Sequence, residues 1–276
     1  MKIFSKIVFL SAVAFFIQAC VTDYYLANRF VVQETDIPVL IIPPSELILT
    51  YTPVHPDSIQ PDTSDGNGNY RPDFLPAVDD SVFVAHFMNS LRNRLDLLYV
   101  KHYGPDQLDE FFELEEPGYI FIIAQMELLE YNETEYFEGR RGTDRYIARE
   151  NIRVLENNVW FEFLKLHDPD FDMQVLFNIH ATSDYVDGRF LRLNDGSVVF
   201  DPDRYPLTIS DVYDLAWYSG EINADKIFDH IMNIHVRREY GRDTPYYFRY
   251  DMDTHSIYES VDPPFIEITQ PAGDEQ

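Results

Sequence analysis

In the first half of the chain, continuous apolar runs alternate with segments whose apolar residues have helical spacing. Residues 37–42 are an apolar run stopped by two prolines, which is typical of a strand buried on both faces. Apolar side chains from Val84 to Leu95 recur at three- and four-residue steps, so they predict a helix capped by Asp79 or Asp80. Further strands are predicted at 47–51, 97–100 and 119–128, and a short helix at 106–113. This strand-helix-strand-helix-strand order builds a parallel sheet through crossover connections.

The second half of the chain favours antiparallel pairing and helices. Residues 173–182 alternate between apolar and polar side chains and, with 159–166, flank a polar turn, which predicts a half-buried hairpin. Asp195-Gly196 is a favoured two-residue hairpin turn. A charged turn is predicted at 138–144, and strands are predicted at 147–155 and 246–252. Two helices are predicted between these strands. The first is short and capped by Ser210 or Asp211, and the second is longer, capped by Asn223 and ended by Gly241. The sequence therefore predicts an α+β fold, a mixed sheet with a β-α-β-α-β N-terminal half followed by antiparallel hairpins and two helices.

The N-terminus has the form of a signal sequence. Two lysines precede an apolar run from Ile7 to Ile17 that is too short to span a bilayer, and a small residue stands before Cys20. The segment Ile17-Gln18-Ala19-Cys20 resembles the lipobox of bacterial lipoproteins, in which the cysteine thiol is acylated and becomes the new N-terminus. The resemblance implies that residues 1–19 are a lipoprotein signal peptide and that Cys20, the single cysteine of the chain, is the lipid attachment site. The alternative is an ordinary signal peptide with a cysteine near the cut by chance.

Proline content, polarity and charge predict how the mature chain is organised and how it is attached to a membrane. We expect a tether at 20–36, one globular α/β domain at 37–262 with a long proline-rich loop at 53–78, and a polar tail at 263–276. Removing the signal peptide discards two lysines and no acidic residue, which leaves 19 basic and 48 acidic residues and a formal net charge of −29. A chain this acidic is a poor partner for nucleic acid and for anionic lipid headgroups, so we expect acyl chains to provide membrane attachment.

Candidate metal ligands in the sequence do not complete a known pattern. Two sets alternate like the first ligands of an EF-hand loop, namely Asp65, Asn67 and Asn69, and Asp168, Asp170 and Asp172. Both lack the bidentate carboxylate that such a loop needs at its twelfth position. His230 and His235 are five residues apart on a predicted helix, whereas a shared ligand pair needs a spacing of three or four. We therefore expect no metal site and no cofactor.

Catalytic motifs are also missing from the sequence. It contains no Gly-x-Ser-x-Gly elbow, no His-Glu-x-x-His and no glycine-rich loop between a predicted strand and helix. Close carboxylate pairs are inevitable among 48 acidic residues, so they carry no information about glycoside hydrolysis. We therefore expect no catalytic residues and a protein that is not an enzyme.

Two triplets resemble a glycosylation signal. Asp57-Ser58-Ile59 and Asp80-Ser81-Val82 are similar to the Asp-Ser/Thr-apolar sequon for O-glycosylation in Bacteroidota. Ser58 is the better candidate because its proline-rich loop should be exposed. Such short triplets also occur by chance, and that alternative stays open.

The element order over residues 37–131 extends the lipoprotein resemblance. A first strand ending at Pro43, then helix, strand, helix and a strongly apolar strand at 119–128, is similar to the N-terminal α/β domain of outer-membrane assembly lipoproteins. These include the curli-secretion and penicillin-binding-protein activator families. An aspartate directly after the cysteine resembles an inner-membrane retention signal, and an acidic run at that place marks surface export in Bacteroidota. Neither feature follows Cys20. The resemblance implies a lipid anchor in the outer membrane, with the protein on the periplasmic face.

Two functions remain open at this point. The first is a non-enzymatic docking or assembly component of the cell envelope with a protein partner, which the dense Tyr and Phe content favours because aromatic residues are enriched at interfaces. The second is a glycan- or ligand-binding surface lipoprotein in which Trp160, Trp217 and Tyr218 form a platform for a sugar. Exposed rings beside convergent carboxylates would favour the second function, and rings buried in the core would remove its main support.

Overall fold

A mixed β-sheet with two long helices on one face forms the centre of the protein. The computed structural model describes residues 23–33, 36–52, 72–168, 171–241 and 244–268. Within these residues, parallel and antiparallel strands share one seven-stranded sheet, and two further hairpins pair separately. The predicted α+β class is confirmed.

The element boundaries are as follows. The strands are β1 (Ile37–Ile42), β2 (Leu47–Tyr51), β3 (Val100–Tyr103), β4 (Tyr119–Arg141), β5 (Asp144–Lys165), β6 (Gln174–Ser183), β7 (Tyr185–Arg192), β8 (Val198–Tyr205), β9 (Tyr247–Asp251), β10 (Ser256–Ser260) and β11 (Ile266–Glu267). The helices are α1 (23–33), α2 (Asp80–Leu97), α3 (Leu108–Phe112) and α4 (Ile209–Tyr240), with short 3-10 helices at Leu75–Ala77 and Pro105–Gln107.

Parallel pairing is confined to the first half of the chain. β1 pairs in parallel with both β3 and β4, and β2 pairs in parallel with β4. Because β5 occupies the other edge of β4, β1 and β2 lie one after the other along the same edge. The prolines between β1 and β2 interrupt this edge, since proline has no N–H to donate to a strand ladder. β5, β6 and β11 extend the sheet in antiparallel fashion on the far side of β4.

The main core lies between the sheet and helices α2 and α4. Alternate residues of β5, including Val159 and Phe161, are fully buried beneath the helices. The helices contribute apolar side chains at the predicted three- and four-residue spacing, among them Phe87 and Leu91 from α2 and Ile227 from α4. Asp79 caps α2 as predicted, since its carboxylate accepts hydrogen bonds from the backbone N–H groups of the first turn.

One 32-residue helix, α4, replaces the two helices expected from the sequence. Its N-cap is Thr208, with Asp211 completing a capping box, and Gly241 ends it in a left-handed conformation with φ 69°. The predicted cap Asn223 lies instead inside the helix and is fully buried. Its side-chain amide donates to the carbonyl of Ser219 one turn earlier, at 2.8 Å, so an asparagine here is compatible with a continuous helix.

The strands and turns between α2 and β6 also differ from expectation. α2 continues to Leu97, and the strand predicted at 97–100 begins only at Val100, after Tyr99 in a left-handed conformation. The predicted strands at 147–155 and 159–166 are one strand, β5, because the polar residues between them pair across the sheet as regular strand positions. The charged turn predicted at 138–144 narrows to the two residues between β4 and β5.

Two described segments near the chain ends are folded, contrary to the expectation from the sequence. Part of the segment interpreted as a tether, 23–33, is a helix, and Leu26, Ala27 and Phe30 on one of its faces are buried in the main core. Part of the polar tail is also folded, because Phe265 is buried and β11 pairs with β6. The structure therefore corrects the tether and tail boundaries for these residues. Of the proline-rich loop, residues 53–71 lie outside the described part.

Candidate docking arm and charged cleft

Most residues singled out from the sequence do not form a joint site. Cys20 and Ser58 lie outside the described residues, as do Asp65, Asn67 and Asn69 of the first candidate calcium loop. In the second loop, Asp168 accepts an ion-pair hydrogen bond from Lys165 at 2.7 Å, and Asp170 is outside the described part. Across the described ranges, no group of three or more His, Cys, Asp or Glu side chains is arranged to hold a metal ion. Ser81 is exposed in the first turn of α2, where its hydroxyl donates to Asp79.

The proposed sugar platform is not assembled. Trp160 alternates along β5 with Val159, which is buried under the helices, so the indole lies on the opposite face of the sheet. There its ring packs against Phe177 with centroids 4.6 Å apart. Trp217 and Tyr218 are 40% and 57% exposed on α4, on the helix-bearing side. The three aromatic residues therefore belong to two separate surfaces.

The two helical histidines have separate surroundings. The His230 ring packs edge-on against Phe163 at 4.8 Å and against Phe265 at 5.9 Å. Its Nε2 atom is enclosed and has no hydrogen-bond partner among the described residues. Burial lowers the pKa of His230 to about 3, so the imidazole is neutral at physiological pH. His235 instead packs against Phe30 of α1, at 5.1 Å, and the two rings do not form a ligand pair.

A polar layer that was not predicted from the sequence lies between β6 and α4. Asn178 is buried and donates to the side-chain oxygen of Asn223 at 3.1 Å, while Lys226 donates to Asn178. His180 faces the same layer, and burial lowers its pKa to about 4. The signal in the sequence was the presence of polar residues on the otherwise apolar face of α4. These groups satisfy one another, which is the usual condition for polar side chains in a core.

A charged cleft of about 310 Å³ opens where the β9–β10 hairpin meets α4. Two ion pairs hold its walls. Arg94 of α2 makes a two-point contact with Asp225, at 2.7 and 3.1 Å. Arg249 of β9 lies 3.5 Å from Asp229, which also accepts a hydrogen bond from the Tyr250 N–H at 2.9 Å. These contacts clamp the hairpin and α2 onto α4.

Burial shifts the pKa values of two titratable groups that line the cleft. Asp229 is almost fully buried, and burial raises its pKa to about 7 against the opposing effects of the Tyr250 N–H and Arg249. Burial also lowers the pKa of the Lys226 amine to about 8, with a further contribution from Arg249. Shifted pKa values mark functional sites as well as structural ion-pair networks. Here the charged groups contact each other, so the cleft is explained as a clamp.

The raised pKa of Asp229 gives a testable pH dependence. A carboxyl group whose pKa is higher in the folded state contributes stability below its unfolded pKa of about 4, and this contribution is lost as pH rises through about 7. We expect the stability of the parent protein relative to Asp229→Asn to fall between about pH 4 and pH 7. Denaturant unfolding across this range measures the difference. Asp211→Asn is the control, because hydrogen bonds from Thr208 lower the pKa of Asp211, so the parent should lose stability relative to that variant only as pH falls through about 4. A flat profile for Asp229→Asn would contradict the assignment.

The most prominent surface feature is a projecting pair of hairpins, which we call the arm. It consists of the distal β4–β5 hairpin, residues 131–154, and the β7–β8 hairpin, residues 185–205. β4 and β5 are 23 and 22 residues long, but β2 and β6 pair with them only as far as Glu130 and Val154. The distal part therefore extends beyond the sheet as a two-stranded ribbon about 35 Å long.

The two hairpins of the arm pack face to face through their own small core. Val186 packs at the base with Ile152 and Val154, and the rings of Phe137 and Phe200 stack with centroids 4.7 Å apart. Near the tip, Gly139 leaves room for Phe190, since a Cβ at Gly139 would lie 2.4 Å from that ring. An ion pair between Arg204 and Glu150 also joins the hairpins. The ribbon is thus supported along its length.

The arm differs in charge from the other residues that follow position 19. Its two segments hold 9 acidic and 8 basic residues, so it is close to neutral, while the other residues from Cys20 onward include 39 acidic and 11 basic ones. On its outer face, Tyr136 is 58% exposed and lies under the guanidinium of Arg149 at 5.4 Å. Tyr185 and Tyr205 form a second exposed pair, 5.8 Å apart. Tyrosine and arginine are the residues most often found at the energetic centre of protein interfaces.

Comparison with known proteins does not assign the chain to a family. No protein-family model matches it, and no curated protein matches its sequence. Among the described residues, none of the helices combines the length and apolarity needed to cross a bilayer. Function is therefore inferred from the arm, the cleft and the N-terminal sequence motif.

Proposed function

We propose that this protein is a non-enzymatic docking or assembly component of the bacterial outer membrane, anchored by acyl chains on Cys20 and binding an envelope protein partner through the arm. The periplasmic face of the membrane is the proposed location. The observation that carries the proposal is the placement of α1, the helix nearest to Cys20, and of the arm at opposite ends of the molecule. A membrane-anchored docking protein needs this separation to reach a partner away from the bilayer.

Strand direction supports this separation. α1 leads directly into β1, and β1 runs parallel to β4, so α1 lies at the end where β4 begins. The arm is formed by the other end of β4. The strand is 23 residues long, which corresponds to about 70 Å from Tyr119 to the tip.

Helix α4 contacts both the base of the arm and α1. Near its start, Asp184 at the base of the arm accepts hydrogen bonds from the N–H groups of Leu207 and Arg153, at 2.8 and 2.9 Å. Near its end, His235 packs against Phe30 of α1 with ring centroids 5.1 Å apart, and Glu239 pairs with Arg29 of α1. A helix of 32 residues is about 48 Å long, so the arm base and α1 contact it at well-separated positions.

The chemistry of the other surfaces favours docking over catalysis or glycan binding. Arg94 and Arg249 of the cleft are paired with Asp225 and Asp229, and the aromatic residues suggested for a sugar platform lie on different faces. The arm instead offers exposed tyrosine and arginine on a supported ribbon whose near-neutral charge does not repel an acidic partner. The arm is therefore the proposed partner-binding surface.

A photo-crosslinking experiment tests the docking role. Benzoylphenylalanine is placed at Tyr136 of the arm and, as a matched control, at Tyr258 of β10, which is 53% exposed. In intact cells we expect a discrete protein adduct from Tyr136, its loss when Arg149→Ala is added, and no adduct from Tyr258. Labelled palmitate should enter the parent protein and not Cys20→Ser. Palmitate incorporation with no arm-specific adduct would overturn the docking role, and palmitate in Cys20→Ser would overturn the anchor.

A further inference from the structure

Helix α1 lies very close in sequence to the proposed acylation site. Asp23, the first described residue of α1, is three positions after Cys20. Three peptide units separate their Cα atoms by about 11 Å at most. If acyl chains hold Cys20 at the bilayer surface, the first turn of α1 must also lie at that surface.

The outward face of α1 consists of uncharged side chains. Leu26, Ala27 and Phe30 on the inner face are buried in the main core. On the outer face, Tyr25 and Val32 are 59% and 69% exposed, and Tyr24 and Asn28 are exposed beside them. The outer face therefore presents two phenol rings within one turn of the anchored end.

The charged residues of α1 are withdrawn from this face or neutralised. Its single acidic residue, Asp23, is 2% exposed and accepts a hydrogen bond from the Tyr246 hydroxyl at 3.0 Å. Its single basic residue, Arg29, forms an ion pair with Glu239 at 3.4 Å. In a mature chain with a net charge of −29, most surfaces would be repelled by anionic headgroups, but this face is uncharged.

A further exposed tyrosine lies where the chain passes from α1 to β1. Tyr99 follows α2 and is 72% exposed, and its carbonyl accepts a hydrogen bond from the Asp36 N–H at 2.9 Å, where the chain leaves α1 and enters β1. Tyrosine is enriched at membrane–water interfaces because its ring is apolar and its hydroxyl is hydrated. Tyr24 and Tyr25 thus place amphipathic rings at the anchored end, while Tyr99 lies beyond the other end of α1.

We infer that the exposed face of α1 contacts the lipid headgroup layer and seats the protein on the membrane. This inference rests on the proposed acylation of Cys20. With this face on the bilayer, β4 leads away from the membrane and the arm is held at a distance from it. The lipid contact therefore fixes the orientation in which the arm meets its partner, which a free tether would not do.

Spin labelling of the acylated, full-length mature protein in vesicles of phosphatidylethanolamine and phosphatidylglycerol tests the inference. Acylation consumes the single native cysteine, so Tyr25→Cys carries the only free thiol. Tyr205→Cys on the arm, at a native residue of matching exposure (60%), is the control. Power saturation compares the collision rate of each label with oxygen, which enters the bilayer, and with a water-soluble nickel complex. We expect an oxygen-to-nickel ratio several-fold higher at position 25 than at position 205.

Flotation of the same samples separates the possible failures. Protein that floats with the vesicles but gives equal ratios at positions 25 and 205 would overturn the lipid contact and leave the anchor intact. Protein that does not float would overturn both. A Tyr24→Asp variant in the Tyr25→Cys background adds a charge to the face and should lower the ratio at position 25 while flotation is retained.

Discussion

Replacing Gly220 with alanine is expected to destabilise the protein, although alanine is the better helix former. In an exposed helix interior the change would add about 1 kcal/mol of stability. Here α2 and α4 cross at Gly220, and a Cβ would lie 2.0 Å from the Ser90 hydroxyl oxygen and 2.3 Å from the carbonyl oxygen of Phe87. The second contact is with helix backbone and is not relieved by a rotamer change. We expect a loss of roughly 3 kcal/mol, at the upper end of overpacking effects.

Chemical denaturation of Gly220→Ala and of Ser210→Ala measures this effect. Ser210 is exposed in the first turn of the same helix, so its replacement should change stability by no more than about 0.5 kcal/mol. Adding Ser90→Gly to Gly220→Ala should recover part of the loss, because it removes one of the two clashing groups. A Gly220→Ala protein that is as stable as the parent would rule out the close α2–α4 crossing.

Replacing Glu130 with alanine is expected to release the backbone of residues 73–75, which precede α2. Glu130 is 1% exposed, and its carboxylate accepts hydrogen bonds from three consecutive backbone N–H groups, those of Asp73, Phe74 and Leu75, at 2.8, 3.2 and 3.3 Å. Arg153 lies 3.5 Å away and supplies the compensating positive charge. Removing one partner of a buried, hydrogen-bonded ion pair costs about 3–5 kcal/mol, because the other groups stay desolvated.

Thermal unfolding and amide hydrogen exchange check the Glu130 prediction. Glu133→Ala, on the same strand but exposed, is the matched control and should leave both measurements close to the parent values. In Glu130→Ala, we expect a lower Tm and loss of exchange protection at Phe74 and Leu75. Unchanged protection at those two amides would show that the carboxylate does not hold the segment.

Short-range signals account for the elements predicted correctly. β1 was found because six consecutive apolar residues precede two prolines, and α2 because its apolar spacing follows directly after a capping aspartate. The hairpin about Asp195-Gly196 and the helix end at Gly241 depend on glycines that adopt positive φ without strain, although the connection between β7 and β8 spans residues 193–197 and is longer than the expected two-residue turn. In each case the deciding interactions lie within a few residues of one another.

The misjudged elements depend on contacts between distant parts of the chain. Asn223 has the side chain of a helix cap, but its bonds to Ser219 and Asn178 allow it to lie inside α4. Residues 23–33 look polar and aromatic in isolation, and only packing against Phe228 explains why they form a core helix. The full length of β5 was missed because the polar residues around Asn157 read as a break between strands. In the folded protein, Asn157 is buried and donates to Ser219 at 2.9 Å, so β5 continues through it.

The sequence by itself determined the α+β class and the starts and ends of several elements, because these depend on local periodicity, caps and turn residues. Its N-terminal motif also supplies the proposed anchor at Cys20. Tertiary structure alone decided that Trp160 and Trp217 occupy opposite sides of the sheet, that α1 packs at one end, and that the arm projects from the other. These features follow from strand order, register and helix packing, which arise from contacts between residues far apart in the chain and leave no local pattern to read.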